Sequence, residues 1–293
     1  MKRAKNIIFL LGFVAGFLIL MYPTFSDMWN RYRNKLLAVQ YEQKVESIDE
    51  TQKNEILADA RAYNAQHTVN EIQDVFDASE QYVLTHPYDT LLNPNGDEVM
   101  GSLEIPKIKV DLAIYHGTGS EALSKGVGHV QGTSLPVGGE STHAVLAAHR
   151  GLSSAKLFTD LDELQTGDRF FLHIMGDTLA YEVDQIEVVD PDDTSYIQIE
   201  EGQDLVTLLT CTPYGVNTQR LLVRGHRVGY ISDAVADEAA KYTVSIKRDE
   251  PVRYFVSGLI AVIIVIMIIR AAVQRGVKRT EKKKGRGLHE KHR

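Results

Sequence analysis

Two long apolar runs lie near the two ends of the chain. Residues 6–26 carry no charged side chain over 21 positions, and a second apolar run covers Tyr254–Ile269. A helix needs about 20 mainly apolar residues to cross a bilayer, so the second run is long enough only if Arg270 snorkels. The pattern predicts an N-terminal membrane anchor within 1–26 and a C-terminal transmembrane helix at 253–273.

The first apolar run has a second interpretation, a cleaved signal peptide. Lys2, Arg3 and Lys5 form the basic segment that precedes such peptides. The bulky residues Met21–Phe25 stand where a cleavage site would need small side chains. The sequence therefore favours an anchor that stays attached.

The segment that follows the anchor has a helical pattern. Its larger apolar residues recur at three- and four-residue spacing, and glycine is absent between residues 27 and 82. These residues are Trp29, Tyr32, Leu36, Leu37 and Tyr41. We predict a helical region over 27–101 that begins with one or two amphipathic helices rising from the membrane.

From Ser102 onward the chain becomes a series of short β-branched runs separated by Gly, Pro and Asp. Seven or eight strands with few helices between them predict a mainly β fold, a closed and largely antiparallel barrel of about eight strands over 102–232. A linker at 233–252 would join it to the second span. The candidate strands are Ser102–Ile105, Lys107–Ile114, Ala144–Ala147, Asp168–Ile174, Leu179–Val189, Leu205–Thr210 and Arg220–Val228.

The distribution of charge predicts the orientation in the membrane. The tail from Arg270 to Arg293 contains ten Lys or Arg and two Glu, and the N-terminus is also basic. Basic segments that flank a membrane span tend to stay in the cytoplasm. The sequence therefore predicts a two-pass protein whose N-terminus and tail at 274–293 are cytoplasmic. The part between the two spans would then lie outside the cell. The whole chain has a net charge of −7 although both ends are basic, so the external part is strongly acidic. Nucleic acid is excluded as a partner because the acidic part would repel phosphates.

Cys211 is the only cysteine among 293 residues, and it stands where an apolar run ends. Four roles are open to it: a buried filler, a metal ligand, one half of an intermolecular disulfide, or a nucleophile. A structural disulfide within the chain is impossible, although the exterior is oxidising. Metal binding is the weakest option, because one Cys and scattered His residues give no ligand set, and we expect no metal or cofactor.

A nucleophilic thiol needs a cation and a proton-transfer group nearby. Arg220 follows Cys211 by nine positions and opens the next apolar run, so a hairpin would bring the two to one end of a sheet. From spacing alone, an inert buried thiol with a surface arginine is the commoner arrangement. Of the ten histidines, His149 is best placed, because it follows the run Ala144–Ala148 at a strand end, whereas His143 lies at the opposite end of that run.

Two stretches of the sequence, around Cys211 and His149, match the motifs of a known family. The first is Thr207–Gly215, followed by Asn217-Thr218 and Arg220. Its Thr-Leu-x-Thr-Cys strand resembles the signature of sortases, the cysteine transpeptidases of Gram-positive bacteria, and its Thr-Pro-Tyr-Gly-x-Asn-Thr ending is similar to class C, the pilus-assembling enzymes. The second stretch, Gly132–Gly139 followed by Thr142–Leu146 and His149–Leu152, resembles the family's catalytic-histidine region. The resemblance runs from about Asp27 through the second apolar run.

The resemblance implies roles for individual residues. Cys211 would be the nucleophile, His149 the general acid, and Arg220 the donor that holds the substrate and stabilises the oxyanion. Three further residues are expected near the site, with Thr210 positioning backbone, Tyr214 on the acceptor side and His143 supporting either the fold or the groove wall.

Class C sortases also carry a lid with an Asp-Pro-aromatic motif, and the matching position here is Asp74-Val75-Phe76, within a candidate lid at 70–90. Val replaces the usual Pro, which leaves the preceding residue free to be helical. The alternative is that these residues form the apolar face of an ordinary helix.

The resemblance implies an enzyme that cleaves a Leu-Pro-x-Thr-Gly-like sorting signal through a Cys thioester and passes the acyl group to a lysine amine of a pilin subunit. A housekeeping sortase that uses a cell-wall precursor as acceptor is the alternative within the family. A membrane scaffold that uses Cys211 for a disulfide with a partner is the alternative of another class.

Overall fold

Two helices precede the barrel. The computed structural model describes residues 2–66, 76 and 85–230, with side chains from residue 11 onward. Helix α1 covers Lys2–Ser47 and helix α2 covers Glu50–Gln66. By length and composition, α1 is the one helix among the described residues that could cross a membrane, and none of its apolar window is buried.

Several predicted segments fall outside the described residues. They are the linker at 233–252, the second span at 253–273, the tail at 274–293 and, apart from Phe76 and residues 85–90, the candidate lid.

Helix α1 packs on the barrel through Asn34 together with two residues of the predicted apolar face, Leu37 and Tyr41. The Asn34 side chain is fully buried, donates to the Lys125 carbonyl (2.8 Å) and accepts from the Ala113 N–H (3.0 Å). The Tyr41 hydroxyl donates to the Met100 carbonyl at 2.7 Å. Trp29, by contrast, is 65% exposed. The predicted face was therefore wrong at its N-terminal end. A pattern of hydrophobic residues cannot show that Asn34 is buried, because this side chain is buried to bond backbone groups of the barrel.

The barrel is closed and has eight strands, which confirms the predicted mainly β fold and its barrel. Around the barrel the order is β1-β2-β3-β4-β7-β8-β6-β5. The strands are β1 (Val99–Ile105), β2 (Val110–His116), β3 (Val127–His129), β4 (Thr142–Ala147), β5 (Arg169–Ile174), β6 (Asp177–Val189), β7 (Asp204–Thr212) and β8 (Gln219–Val228). Short helical elements connect them: helix α3 (Ser120–Lys125) and 3-10 turns at Tyr88–Thr90, Pro106–Ile108, Leu161–Glu163 and Ser195–Ile197.

The strand prediction failed at three places. Strand β1 starts at Val99, inside the predicted helical region 27–101, and not at Ser102. Strand β3 was missed, because three residues are too few to show an alternating pattern. The strand predicted from Lys107 starts only at Val110, since Pro106–Ile108 forms a 3-10 turn and Lys109 adopts a left-handed conformation (φ 56°).

Two of the strand pairs are parallel, β2 with β3 and β4 with β7. The β4–β7 pair matters most for the site. It sets two strands that are distant in the sequence side by side and pointing the same way, so their C-terminal ends meet at one end of the barrel.

Candidate active site

Cys211 and Arg220 face each other directly across the β7–β8 ladder. Side chains of directly opposed residues in an antiparallel pair point to the same side, with Cβ atoms about 4.5–5.5 Å apart. Both are nearly buried, with 6% of Cys211 and 7% of Arg220 exposed. The Arg220 guanidinium is held by its own hairpin, since Nη1 donates to the carbonyls of Asn217 (3.1 Å) and Gln219 (2.9 Å).

His149 arrives at the same end of the barrel from β4. Ala147 is in register with Leu209 of β7, and the Ala148 N–H continues the ladder by donating to the Leu209 carbonyl at 3.1 Å. His149 follows Ala147 by two residues and Cys211 follows Leu209 by two, so the same register places His149 level with Cys211. Burial lowers the pKa of the His149 imidazole, so the neutral ring is favoured at neutral pH.

The three residues share their side of the sheet with a second apolar cluster, separate from the barrel core. We call it the groove cluster: Leu123, Val130, Val145, Ala147, Val189, Ile197, Leu209 and Leu222. Leu209 precedes Cys211 by two residues and Leu222 follows Arg220 by two. Strand side chains alternate with period two, so the thiol and guanidinium stand at the end of this apolar surface.

Phe76 covers this end of the groove. Its ring lies 5.5 Å from the His149 ring, between centroids, and the Arg220 guanidinium carbon stands 5.4 Å from the Phe76 centroid. Phe76 also packs against the groove cluster. It forms part of a turn rather than of a helix. Its predicted neighbour in the lid motif, Asp74, lies outside the described residues.

The residues beside His149 are bonded to the residues beside Cys211. The Thr210 hydroxyl donates to the Ala148 carbonyl at 2.7 Å. On the other side, Arg150 Nη1 donates to the Thr212 hydroxyl at 3.2 Å, and its Nη2 donates to Asp162 at 2.5 Å. No motif in the sequence predicts these contacts of Arg150, because they join segments that are 12 and 62 positions apart.

The other two predicted groove residues lie in different surroundings. Tyr214 is 59% exposed in the turn after Cys211, and its ring is next to Gly151. His143 is fully buried at the opposite end of β4, six positions from His149, or about 20 Å along a strand. Its ring nitrogens contact the Gln198 carbonyl (2.8 Å) and the Thr207 hydroxyl (2.7 Å). The structure therefore brings Thr210 and Tyr214 near Cys211 but not His143. Among the described residues, no group of three or more His, Cys, Asp or Glu could hold a metal ion.

His143 makes stability depend on pH. Burial is the main cause that lowers the pKa of this imidazole below its ordinary value. As the pH falls, the unfolded chain therefore binds a proton on this imidazole before the folded chain does. The contribution of His143 to the free energy of unfolding is fully present above about pH 6.5 and is lost as the pH drops toward the folded-state pKa. Between pH 7.5 and 5.5, urea unfolding of the full chain in detergent should show a loss of stability, to which His143 contributes at most about 1.4 kcal/mol and which His143→Gln reduces.

The unaltered chain is the reference, because glutamine keeps a polar side chain of similar size at this position and does not titrate. Equal losses for His143→Gln and the unaltered chain would contradict the role of His143.

The chain is similar to known proteins of one family. A family model described as a sortase domain matches residues 103–228. Sortase D of Bacillus subtilis is 35% identical over 138 residues, which is 46% of this chain and 67% of that protein. Sortase A of Streptococcus agalactiae is 28% identical over 155 residues, 52% of this chain and 62% of that protein.

Solved structures of sortases also resemble this chain. The sortase C structure from Streptococcus pneumoniae is 42% identical with a TM-score of 0.63, covering 67% of this chain and 98% of that one. Sortase C1 of Streptococcus agalactiae is 47% identical with a TM-score of 0.61, covering 67% and 95%. Sortase C-1 of Actinomyces oris is 48% identical with a TM-score of 0.58, covering 61% and 99%.

Proposed function

Because this chain belongs to the sortase family and is a cysteine transpeptidase, we propose that Cys211 is its nucleophile, His149 its general acid and base, and Arg220 its oxyanion donor. The direct pairing of Cys211 with Arg220, at the barrel end that His149 also reaches, carries this proposal.

In the first step, neutral His149 takes the proton of the Cys211 thiol, and the resulting thiolate attacks the carbonyl carbon of Thr in a Leu-Pro-x-Thr-Gly-like signal. The electron pair of the C=O bond moves onto the oxygen, which becomes an oxyanion. When this intermediate collapses, the C–N bond to Gly breaks and His149 gives its proton to the leaving amine. The product is a thioester on Cys211 and a free peptide that begins with Gly.

Arg220 acts on the charge that develops during this step. A fixed guanidinium in a nearly buried site stabilises an oxyanion much more strongly than it would in water. The bonds from Arg220 Nη1 to Asn217 and Gln219 support this role, because they hold the cation in place before the reaction.

In the second step, a lysine amine of a pilin attacks the thioester carbonyl and gives up its proton to neutral His149. The C–S bond breaks and the thiolate returns. The lowered pKa of His149 suits this step, since an amine needs a neutral imidazole as base. Water is the competing acceptor, and it would give hydrolysis.

The similarity to pilus enzymes supports pilin polymerisation over anchoring to the cell wall. Neighbouring structures include a pilus-related sortase C of Group B Streptococcus at 42% identity, whereas the sortase A relatives are 26–28% identical. The groove cluster supports the sorting signal as substrate, because its apolar side chains, which are buried and packed against Phe76, would suit the Leu and Pro side chains of the signal if Phe76 moved aside.

The proposed enzyme is anchored in the cell membrane. The apolar part of α1 supports an N-terminal anchor with an extracellular barrel. The apolar run at 253–273 and the basic tail support a second span and cytoplasmic termini, in the two-pass arrangement.

The function is tested by incubating the full chain, in detergent, with a Leu-Pro-x-Thr-Gly peptide and one of two acceptors. One acceptor is a pilin-derived lysine peptide and the other is a cell-wall precursor amine. Mass spectrometry should find an acyl adduct on Cys211 and a product joined to the lysine. Preference for the cell-wall amine would support the housekeeping alternative, and a mixed disulfide without any acyl adduct would support the scaffold.

We propose that Phe76 belongs to a lid that restricts access to the thiol, as its position over His149 and Arg220 suggests. Phe76→Ala should therefore speed the reaction of Cys211 with a small alkylating agent about three- to tenfold, because a buried thiol reacts only when it is exposed. Labelling reports on this site alone, since Cys211 is the only thiol. Asp74→Ala is expected to act in the same direction.

Tyr32→Ala provides the control, since this ring is exposed on α1. It should label at the original rate. If Phe76→Ala labels no faster than Tyr32→Ala, Phe76 does not restrict access.

A further inference from the structure

We infer that Arg150 is a positioning residue, which holds the end of β4 that carries His149 against the end of β7 that carries Cys211. The inference rests on the proposed function, because the distance between the His149 imidazole and the Cys211 thiol matters only if the two react together. Arg150 itself does not touch the reacting atoms.

Two hydrogen bonds connect the neighbours of the two catalytic residues. Ala148 and Arg150 flank His149, and they bond to Thr210 and Thr212, which flank Cys211. Side chains alternate along β7, so both threonines point away from the face that bears the thiol. The connection therefore runs behind the groove, where substrate does not compete for it.

A third contact fixes the arginine from the other side. Its Nη2 donates to Asp162, which lies in the 3-10 turn Leu161–Glu163. Two more hydrogen bonds close the loop between His149 and Asp162. The Phe158 N–H donates to the His149 carbonyl (3.2 Å), and the Gly151 N–H donates to the Thr159 hydroxyl (3.3 Å). One planar guanidinium thus joins the strand β7 to the loop that follows His149.

Stability does not explain a guanidinium at this place. The Arg150 side chain is only 8% exposed, and its Nε is buried with no hydrogen-bond partner among the described residues. A buried donor without a partner is destabilising. The partner carboxylate of Asp162 is 51% exposed and would be solvated without the arginine. An apolar side chain of similar length is therefore expected to leave the barrel as stable as before.

Catalysis, in contrast, depends on the geometry that Arg150 maintains. A displacement of about 1 Å between reacting groups can cost on the order of 100-fold in rate. A lysine keeps the positive charge but cannot bond Thr212 and Asp162 at once through a planar fork. The lysine variant therefore separates a role in positioning from an effect of charge on His149.

The test measures peptide cleavage by the full chain with Arg150→Met, Arg150→Lys, Thr212→Val and the double variant Arg150→Met/Thr212→Val. Both Arg150 variants should lower kcat by about 10- to 100-fold, with KM changed less than about twofold and thermal unfolding unchanged. Arg150→Met and Thr212→Val should be non-additive, because they remove one bond. Arg169→Met is the control, since Arg169 pairs with Glu182 in the β5–β6 hairpin, and it should retain full kcat.

Several results would overturn the inference. Normal kcat in Arg150→Met, full activity in Arg150→Lys, or additive losses in the double variant would each do so. If Arg150→Met does not fold, Thr212→Val decides the matter, because it removes the same bond without touching the buried charge.

Amide hydrogen exchange separates this inference from the proposed function. If the unaltered chain forms no acyl adduct, the proposed function fails, but exchange at residues 148–151 can still be compared. Faster exchange in Thr212→Val supports the connection between the two strand ends, and unchanged exchange refutes it.

Discussion

Replacing Cys211 with alanine is expected to abolish acyl-enzyme formation and to lower cleavage of the sorting-signal peptide by at least about 10⁴-fold. The residue is the only cysteine, and it faces Arg220 at the end of an apolar groove. Without the sulfur no thioester forms, and water attacking directly would be a far weaker nucleophile. Mass spectrometry of the intact protein and chromatography of the peptide products measure both effects.

Cys211→Ser is the matched control for this experiment. It keeps the size and polarity of the side chain and should also be nearly inactive, because a hydroxyl is far less acidic than a thiol. Thermal unfolding of both variants should match the unaltered chain. Retained cleavage by folded Cys211→Ala would mean that the nucleophile is another residue.

Arg220→Lys is expected to lower kcat by roughly 100- to 1,000-fold, the range seen when an oxyanion donor is lost. Lysine keeps the charge, but it cannot donate to the carbonyls of Asn217 and Gln219 while also presenting a planar fork to the substrate. Its ammonium is a mobile point charge and would need to be ordered in each turnover. Steady-state kinetics with the sorting-signal peptide test this, and the loss should fall on kcat more than on KM.

Arg224→Lys serves as the control for the same strand. Arg224 lies four residues beyond Arg220 on β8 and pairs with Asp184 and Glu200, away from the thiol. Its replacement should leave most of the activity. Near-normal turnover by Arg220→Lys would remove Arg220 from the mechanism.

The α1 helix illustrates how far the hydrophobic pattern reaches. The pattern predicted a helix after the membrane anchor, and the structure has one. It did not predict that Asn34 would be the fully buried contact while Trp29 stays exposed. The choice depends on which backbone groups of the barrel need a partner, and these belong to segments far away in the sequence, such as the Ala113 N–H and the Lys125 carbonyl.

Some features of the surroundings of Cys211 could be predicted from the sequence, and others could not. Its residue type, its place at the end of an apolar run and the arginine nine positions later were all visible in the sequence. The bond from Arg150 to Thr212 was not, because 62 positions separate these residues and no motif joins them. The sequence placed His143 and His149 at opposite ends of one run, but only the structure shows that His143 is fully buried and that Phe76 lies over His149.

The sequence by itself determined the local features of this protein: an apolar helix at the N-terminus, alternating strands, and the motifs that carry the thiol, the imidazole and the guanidinium. These follow from periods of two and 3.6 residues and from chemistry within short segments. The tertiary structure alone decided that β4 lies parallel to β7, that His149 thereby reaches the end of the barrel where Cys211 opposes Arg220, and that Phe76 covers them. Strand register depends on the packing of the whole barrel, because shifting one strand by a single residue would turn its buried side chains outward.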